Sequence, residues 1–502
     1  MSKKGQKRKS LYEVGQPERS TQVRVVELFK NLGYRYLGYW EEREQNSNVE
    51  VEMLRAWLEQ QGYEKTLIDL AIEQLTKVTG NQNKSLYDLN KEVYSLLRYG
   101  VKVKPEIDEN TVTVWLIDWK QARKNDFAIA EEVTIKGAKT KRPDIVLYVN
   151  GNALGVLELK RSINSVGEGI RQNLLNQRKE FIGHFFTTIQ FVMAGNDTEG
   201  LRYGTIETPE KHYLTWKEEQ KKAENGAHGV DVNGAPALAL TSLTRGVALD
   251  RHLTQLCQPL RFLEIMHNFI VFDAGVKKLC RHNQYFGVRA AQKRVRSREG
   301  GIIWHTQGSG KSLTMVWLAK WIREHVRDAR VLIITDRTEL DEQIERVFKG
   351  VEEEIYRTKS GKDLLAQLNA PLPWLLCSLI HKFPGKEEGD IEGFIEEVRR
   401  NLPPGFKAKG DIYVFIDECH RTQSGKLHEA MKQILPNAMF IGFTGTPLLK
   451  ADKQKSIEVF GTYIHTYKYD EAVKDQVVLD LRYEARDIDQ RLTSQKKIDQ
   501  WF

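Results

Sequence analysis

Two groups of residues in this sequence have the types and spacing that phosphate chemistry needs. The first is Thr306-Gln307-Gly308-Ser309-Gly310-Lys311-Ser312, set between an apolar strand and an amphipathic helix. Gly308 and Gly310, flanking Ser309, let backbone N–H groups converge on phosphate oxygens with no Cβ in the way. The helix that follows adds the positive end of its dipole. Lys311 is placed to neutralise the β- and γ-phosphates, and the Ser312 hydroxyl to ligate Mg2+. His305 stands where the strict pattern has glycine, so the segment alone also reads as a turn without a ligand. Two later segments decide between the readings. The apolar strand Asp411–Ile416 ends in Asp417-Glu418-Cys419-His420, where Asp417 would hold Mg2+ through a water and Glu418 would polarise an attacking water. Another strand, Met439–Phe443, ends in Thr444-Gly445-Thr446-Pro447. Three such segments in this order, each at a strand end, predict a domain that binds ATP with Mg2+.

The second group is Arg142-Pro143-Asp144 and Glu158-Leu159-Lys160. Asp144 opens an apolar strand that runs to Val149, Asn150–Asn152 is a turn signal, and Leu154–Lys160 returns. Glu158 and Lys160 share one face because strand side chains alternate with period two. Asp144 joins them only in the right register. A two-residue loop at 151–152 would pair it with Leu159, on the wrong face. A three-residue loop or a bulge near Asn150–Ala153 pairs it with Glu158 or Lys160 instead, and such a feature is expected. Asp144 and Glu158 would then make a hard-oxygen site for Mg2+. The ion lowers the pKa of a coordinated water and neutralises a scissile phosphate, while Lys160 orients that water and stabilises developing charge. A Pro-Asp turn before a surface Glu-x-Lys strand is the purely structural alternative.

The elements that must position these residues are read from pattern. The chain has 502 residues, 40% apolar and 29% charged, enough for several cores. Residues 1–20 read as a basic flexible leader, and five of the net eight positive charges lie in the first ten residues. Residues 21–235 read as a first domain, helical to about 110 and strand-rich from Val112 to Val192. A charge run at Trp216–Asn225 and a Gly-rich stretch to Pro236 mark its exit, with a linker over 236–260. From 261 to 466 apolar strands alternate with amphipathic helices, which argues for an α/β domain with a parallel sheet covered on both faces. No apolar run is long enough to span a membrane, and no secretory signal opens the chain. Four cysteines, none in a C-x-x-C pair, suit a reducing compartment, so a cytoplasmic protein with no membrane partner is expected.

Gly308–Ser312, Asp417–His420 and Thr444–Pro447 resemble motifs I, II and III of superfamily 2 helicases and translocases. Ile333–Arg337 is similar to motif Ia, and Leu376–Phe383 to the next strand of the same RecA-like lobe. Arg281-His282-Asn283-Gln284 resembles the adenine-reading Q-type motif, in which Gln284 would pair its amide with adenine N6 and N7; a polar residue on a helix surface is the alternative. The Arg142–Lys160 block resembles the PD-(D/E)xK nuclease core. That likeness implies a mixed sheet with flanking helices, with Asp144, Glu158 and Lys160 catalytic. It also implies a Gln-x-x-x-Tyr element on the next helix. Gln172 falls there, but Asn176 stands in the Tyr position; a second candidate, Gln177 with Phe181, lacks the hydroxyl. Glu27 is a further acidic candidate, or simply a solvated helix carboxylate.

An N-terminal nuclease of this kind before a superfamily 2 motor resembles the restriction (R, HsdR) subunit of type I restriction–modification enzymes. Asn125-Asp126-Phe127, Tyr203-Gly204-Thr205 and His305–Met315 add to the likeness. It implies methyltransferase (M) and specificity (S) partner subunits, ATP-driven translocation of double-stranded DNA, and Mg2+-dependent cleavage. Thr444, Gly445 and Thr446 would couple nucleotide state to DNA movement. Residues 467–502 read as the start of a linker to a second RecA-like lobe. Too few residues follow Pro447 for that lobe, which takes on the order of 150. The sequence is therefore expected to be an N-terminal fragment with impaired ATP hydrolysis. Two other readings stay open: a single-chain defence nuclease-translocase, and a remnant that binds DNA or partners without turnover, with Lys293–Arg298 as its phosphate-binding surface.

Overall fold

The computed structural model describes residues 18–105, 110–218, 247–335, 353–379, 391–419, 422–446 and 459–480, with part of 342–349. His420, Arg337, Pro447 and the end of Leu376–Phe383 lie outside the described residues. Two sheets organise the chain.

The first half carries helices α1 (Glu18–Asn31), α2 (Val51–Gln60), α3 (Lys65–Thr79), α4 (Leu86–Tyr99) and α5 (Val166–Asn176). Its strands are β1 (Arg35–Tyr39), the short pair β2 (Val101–Val103) and β3 (Val112–Val114), β4 (Phe127–Glu131), β5 (Ile145–Val149), β6 (Asn152–Leu159), β7 (Phe191–Asn196) and β8 (Gly200–Gly204). A six-stranded mixed sheet runs β1-β4-β5-β6-β7-β8, with β1–β4 and β6–β7 parallel and the other pairs antiparallel. Every residue of β4, β5 and β6 is buried, as expected of central strands covered on both faces.

The β5–β6 hairpin turns on Asn150 and Gly151, both at positive φ. Val149 pairs with Asn152 and Tyr148 with Ala153, but Leu147 pairs with Gly155, so Leu154 is a one-residue bulge. The expected irregularity is present, one residue beyond the span anticipated for it. Asn150 anchors the turn: its amide donates to Leu116 O and Asn125 Oδ1, and its Oδ1 accepts from Asp126 N–H.

After a two-stranded ribbon, β9 (Ile270–Asp273) with β10 (Val276–Leu279), the second half builds a seven-stranded, fully parallel sheet. Its strands are β11 (Gly301–His305), β12 (Ala329–Thr335), β13 (Tyr356–Arg357), β14 (Leu375–Leu379), β15 (Asp411–Ile416), β16 (Met439–Thr444) and β17 (Tyr463–Tyr467). Their order is β13-β14-β12-β15-β16-β11-β17. The protein is α/β, as expected: a mixed-sheet domain followed by a RecA-like lobe.

Two boundaries differ from expectation. Residues 248–260, read as linker, form the helix Ala248–Leu256 and the start of Pro259–Asn268. The first of these docks on the mixed sheet: Arg24 of α1 is paired with both Asp197 and Asp250, and Leu201 N–H donates to His252 Nδ1 at 3.1 Å. Leu249, Leu253 and Leu256 give it an apolar face that a loop would waste. Residues 467–480, read as the start of a linker, pack on the lobe, because Tyr467 pairs with His305 and Asp475 binds Lys217, His282 and Tyr467. One apolar core crosses the two halves, with Phe191 against Phe262 at 4.6 Å and Phe269 against Trp317 at 5.9 Å.

Gly151 sits at φ +81°, and a Cβ there would lie 2.7 Å from Glu50 O and 2.8 Å from Leu54 N. Gly151→Ala is expected to cost more than about 1 kcal/mol in urea unfolding, since both the φ and the neighbouring backbone oppose it.

Candidate functional site

The bulge at Leu154 sets the first site. With Ile145 opposite Leu157, the residue before β5 faces Glu158, and Asp144 Oδ2 accepts the Leu159 N–H at 2.6 Å. Lys160, just past β6, brings Nζ to 3.8 Å from Glu158 Oε2. Gln172 on α5 donates to the same oxygen at 2.7 Å. Helix α5 can lie this close because of Gly169, where a Cβ would be 3.0 Å from Ala194 Cβ and 3.5 Å from Glu158 Cβ. Ser165 starts the helix by accepting the Gly167 N–H. Asp144, Glu158, Lys160 and Gln172 are thus brought together.

Glu158 is fully buried, and its Oε1 has no hydrogen-bond partner among the described residues. Burial raises its pKa well above the ordinary range, the charge of Asp144 adds to the rise, and Lys160 opposes it. A buried carboxylate oxygen without a donor, beside a second carboxylate, is the donor set that suits a hard divalent cation. Among the described residues no cluster of three or more His, Cys, Asp or Glu forms a fuller ligand set. Such a two-carboxylate site matches an ion that keeps most of its waters.

Two neighbours were not anticipated from sequence. Gly169 is one; the Gly-x-Gly spacing at the start of α5 was its only signal. Glu132 is the other: its charge raises the Glu158 pKa further, its N–H donates to Asp144 O at 2.9 Å, and its carboxylate meets Arg142 Nε at 2.6 Å. Nothing in its sequence spacing announces that position. Glu27 is not in the site; it is exposed and paired with Lys30 at 2.7 Å. Gln177 is spent on Asn173 O and the Glu207 N–H, and Asn176 is buried with its amide unpartnered among the described residues.

In the second half, the loop after β11 has Gly308 and Gly310 at positive φ, and Gly310 caps the helix Lys311–His325. Ser309 Oγ donates to Thr306 O at 2.6 Å, closing the turn. His305 is still a strand residue here, buried, with Nε2 at 2.9 Å from His465 Nδ1. Burial pushes its pKa well down, and His465 down to about 4, so the two rings pack as neutral imidazoles. A glycine at 305 is unnecessary because the loop proper begins at Thr306.

Lys311 Nζ reaches Glu418 Oε1 at 3.3 Å, and Gly445 N–H lies 3.5 Å from Glu418 Oε2. Glu418 adopts φ +48°, which turns it back toward the loop. A Cβ on Gly445 would sit 2.5 Å from Lys311 Nζ. Thr444 Oγ1 accepts the Thr446 N–H at 3.2 Å and shapes the same turn. Asp417 and Ser312 are both buried beside them at the ends of β15 and the loop. The three segments therefore converge on one pocket.

Gln284 differs from the adenine-reading expectation. It is buried, accepts from Arg281 N–H at 2.8 Å and donates to Gly310 O at 2.9 Å. Its amide ties the helix His282–Ser297 to the phosphate loop, so it acts here by positioning. The basic stretch Lys293–Arg298 is largely spent on structure: Arg294 pairs with Glu299, and Arg298 with Asp411 at 2.6 Å.

Removing the Glu158 charge should stabilise the ion-free protein where the carboxylate would be ionised. The folded state holds this proton above pH 4.5, so stability is lost as pH rises through the elevated pKa. Glu158→Gln is expected to raise Tm at pH 8 in EDTA and less so at pH 5.5, and to remove any stabilisation by Mg2+ or Mn2+. Gln284→Ala is expected to cost about 1–3 kcal/mol by stranding the Arg281 N–H and cutting the tie to Gly310 O, which keeps its bonds from Thr314. It should also weaken ATP binding measured by calorimetry.

The sequence matches two family models. Residues 15–211 match the type I restriction enzyme R protein N terminus, and residues 283–502 match the SWI2/SNF2 ATPase. Among curated relatives, the putative type I restriction enzyme MjaIXP endonuclease subunit of Methanocaldococcus jannaschii is 26% identical, over 94% of this chain and 46% of its own. The type I restriction enzyme HindI endonuclease subunit of Haemophilus influenzae is 29% identical, over 80% of this chain and 39% of its own. The chain spans less than half the length of each of these relatives. No helix among the described residues is long and apolar enough to cross a membrane.

Proposed function

We propose that the chain, which matches the N-terminal region of type I restriction enzyme R proteins followed by a SWI2/SNF2 ATPase region, is such an R protein and that its mixed-sheet domain is a Mg2+-dependent endonuclease acting on double-stranded DNA. The observation that carries this reading is the Leu154 bulge, which turns Asp144 to the face of Glu158 and Lys160. Asp144 and Glu158 would hold the cation. When bound, that ion neutralises the scissile phosphate and lowers the pKa of a coordinated water. Gln172 holds Glu158 Oε2 in place, leaving Oε1 free to ligate. Lys160, tethered near Glu158, orients the attacking water and stabilises charge developing on the phosphate.

The parallel-sheet lobe binds ATP in the same proposal. The backbone of Gly308–Gly310 cradles phosphates, and Ser312 with Asp417 would hold Mg2+. Lys311 must leave Glu418 to reach the β- and γ-phosphates, which frees Glu418 to act on the attacking water. The turn Thr444–Thr446, in contact with Lys311 through Gly445, is where phosphate state would pass to the rest of the lobe. In the whole protein these parts serve DNA translocation, with methyltransferase and specificity subunits as partners.

The test is nicking of supercoiled plasmid by the 502-residue chain in Mg2+. Asp144→Ala and Lys160→Ala are each expected to lower the rate by at least about a hundredfold. Activity unchanged in both variants assigns cutting elsewhere. No nicking by the parent chain at any divalent concentration favours the reading as a DNA-binding or partner-binding chain without turnover. Lys311→Ala is expected to abolish ATP binding while leaving nicking intact, since the two sites use separate residues.

A further inference from the structure

The strands β4 and β5 do not end at the nuclease pocket. Their backbone pairing continues outward, with Glu132 N–H to Asp144 O, Val133 N–H to Pro143 O at 3.1 Å, and Ile135 and Lys141 bonded in both directions. This ribbon ends in the exposed tip Lys136–Thr140. It lies flat against the turn after α5 because residue 137 is glycine: a Cβ there would be 2.2 Å from Phe181 O.

The charges on the ribbon are unequal in their surroundings. Arg142 is paired with Glu41 and Glu132, and Lys136 reaches Glu44 at 4.0 Å. Lys139 and Lys141 have no ion pair among the described residues. Both instead stand over the ring of Phe181, with Nζ at 5.4 and 4.7 Å from its centroid. Two ammonium groups drawn to one ring concentrate positive charge there, which an anion lying against them would offset. Lys141 is three residues from Asp144, an extended reach of at most about 10 Å. That is roughly three steps of a DNA strand at 3.4 Å each.

We propose that Lys139 and Lys141, seated on Phe181, form a clamp for the sugar–phosphate backbone of duplex DNA within a few nucleotides of the scissile bond. The clamp deepens the nuclease reading and rests on it for its ligand. The rigid ribbon fixes its distance from the cation pocket, so it would set which phosphate faces Asp144 and Glu158 without reading sequence.

The test uses the 502-residue chain and a fluorescein-labelled 30-bp duplex, with binding followed by anisotropy in EDTA across KCl concentrations. Lys139→Ala/Lys141→Ala is expected to make the negative slope of log K against log [KCl] shallower by about 1.8, near 0.9 per lost phosphate contact. The double Arg variant should keep the parent slope, as should Lys65→Ala/Lys77→Ala on the exposed face of α3. Equal slopes in the Ala pair and the parent overturn the clamp, whatever happens to nicking. Polyglutamate competing as strongly as the duplex overturns it in favour of an acidic protein partner. A shallower slope in a chain that does not nick plasmid overturns the nuclease reading and leaves the DNA surface standing.

Discussion

Everything at the pocket of Asp144 and Glu158 depends on one extra residue in a strand. Side chains of a strand alternate with period two, so a hairpin register shifted by one would send Asp144 to the face opposite Glu158 and Lys160. The turn at Asn150-Gly151 alone would pair Asp144 with Leu157. The bulge at Leu154 corrects this, and the correction is held by the buried amide of Asn150, which bonds Leu116, Asn125 and Asp126. The Asn125-Asp126-Phe127 segment therefore has a physical role: it pins the turn that sets the register. With the register set, burial and the neighbouring Asp144 charge make an ionised Glu158 costly, and a bound cation would relieve that cost.

The two halves are joined more tightly than two beads on a string. The helix Ala248–Leu256 belongs to the first sheet through Arg24 and His252, yet leads directly into the helix that packs Phe262 on Phe191. The helix that begins at Lys311 ends near Glu324, whose carboxylate accepts two bonds from Arg98 of α4 at 2.7 and 2.8 Å. One helix thus spans from the loop after β11 to the half that holds the mixed sheet. Lys217 reaching Asp475 adds a second tie, from the exit of the first sheet to the segment that covers the loop.

Much of the nucleotide pocket was legible because its chemistry is local. Glycines before a helix, and acids at the ends of buried strands, declare their roles within a few residues. The set of Asp144, Glu158 and Lys160 was legible only as a conditional: Glu158 and Lys160 shared a face, while Asp144 waited on register. Gln172 was picked from its place on the helix that the likeness implies; what seats it on Glu158 is Gly169, which lets α5 approach β6. Residues 248–260 were read as linker because composition at 226–236 is loose, whereas the leucines at 249, 253 and 256 mark a helix only once there is a surface for them to cover. Gln284 kept its importance but changed its task, since a buried amide bonds whatever polar groups the fold presents.

By itself the sequence determined that two segments carry residue types suited to phosphate chemistry, that the second half is a parallel α/β lobe, and which short motifs line its pocket. These follow from backbone freedom, charge and periodicity, which act over neighbouring residues. Only the tertiary structure decided that Asp144 faces Glu158, that Glu132 lies beside them, that His305 needs no glycine, and that Lys139 and Lys141 share one ring. Those facts join residues from separate strands and helices, and no local rule sets the bulges and helix approaches that bring them together.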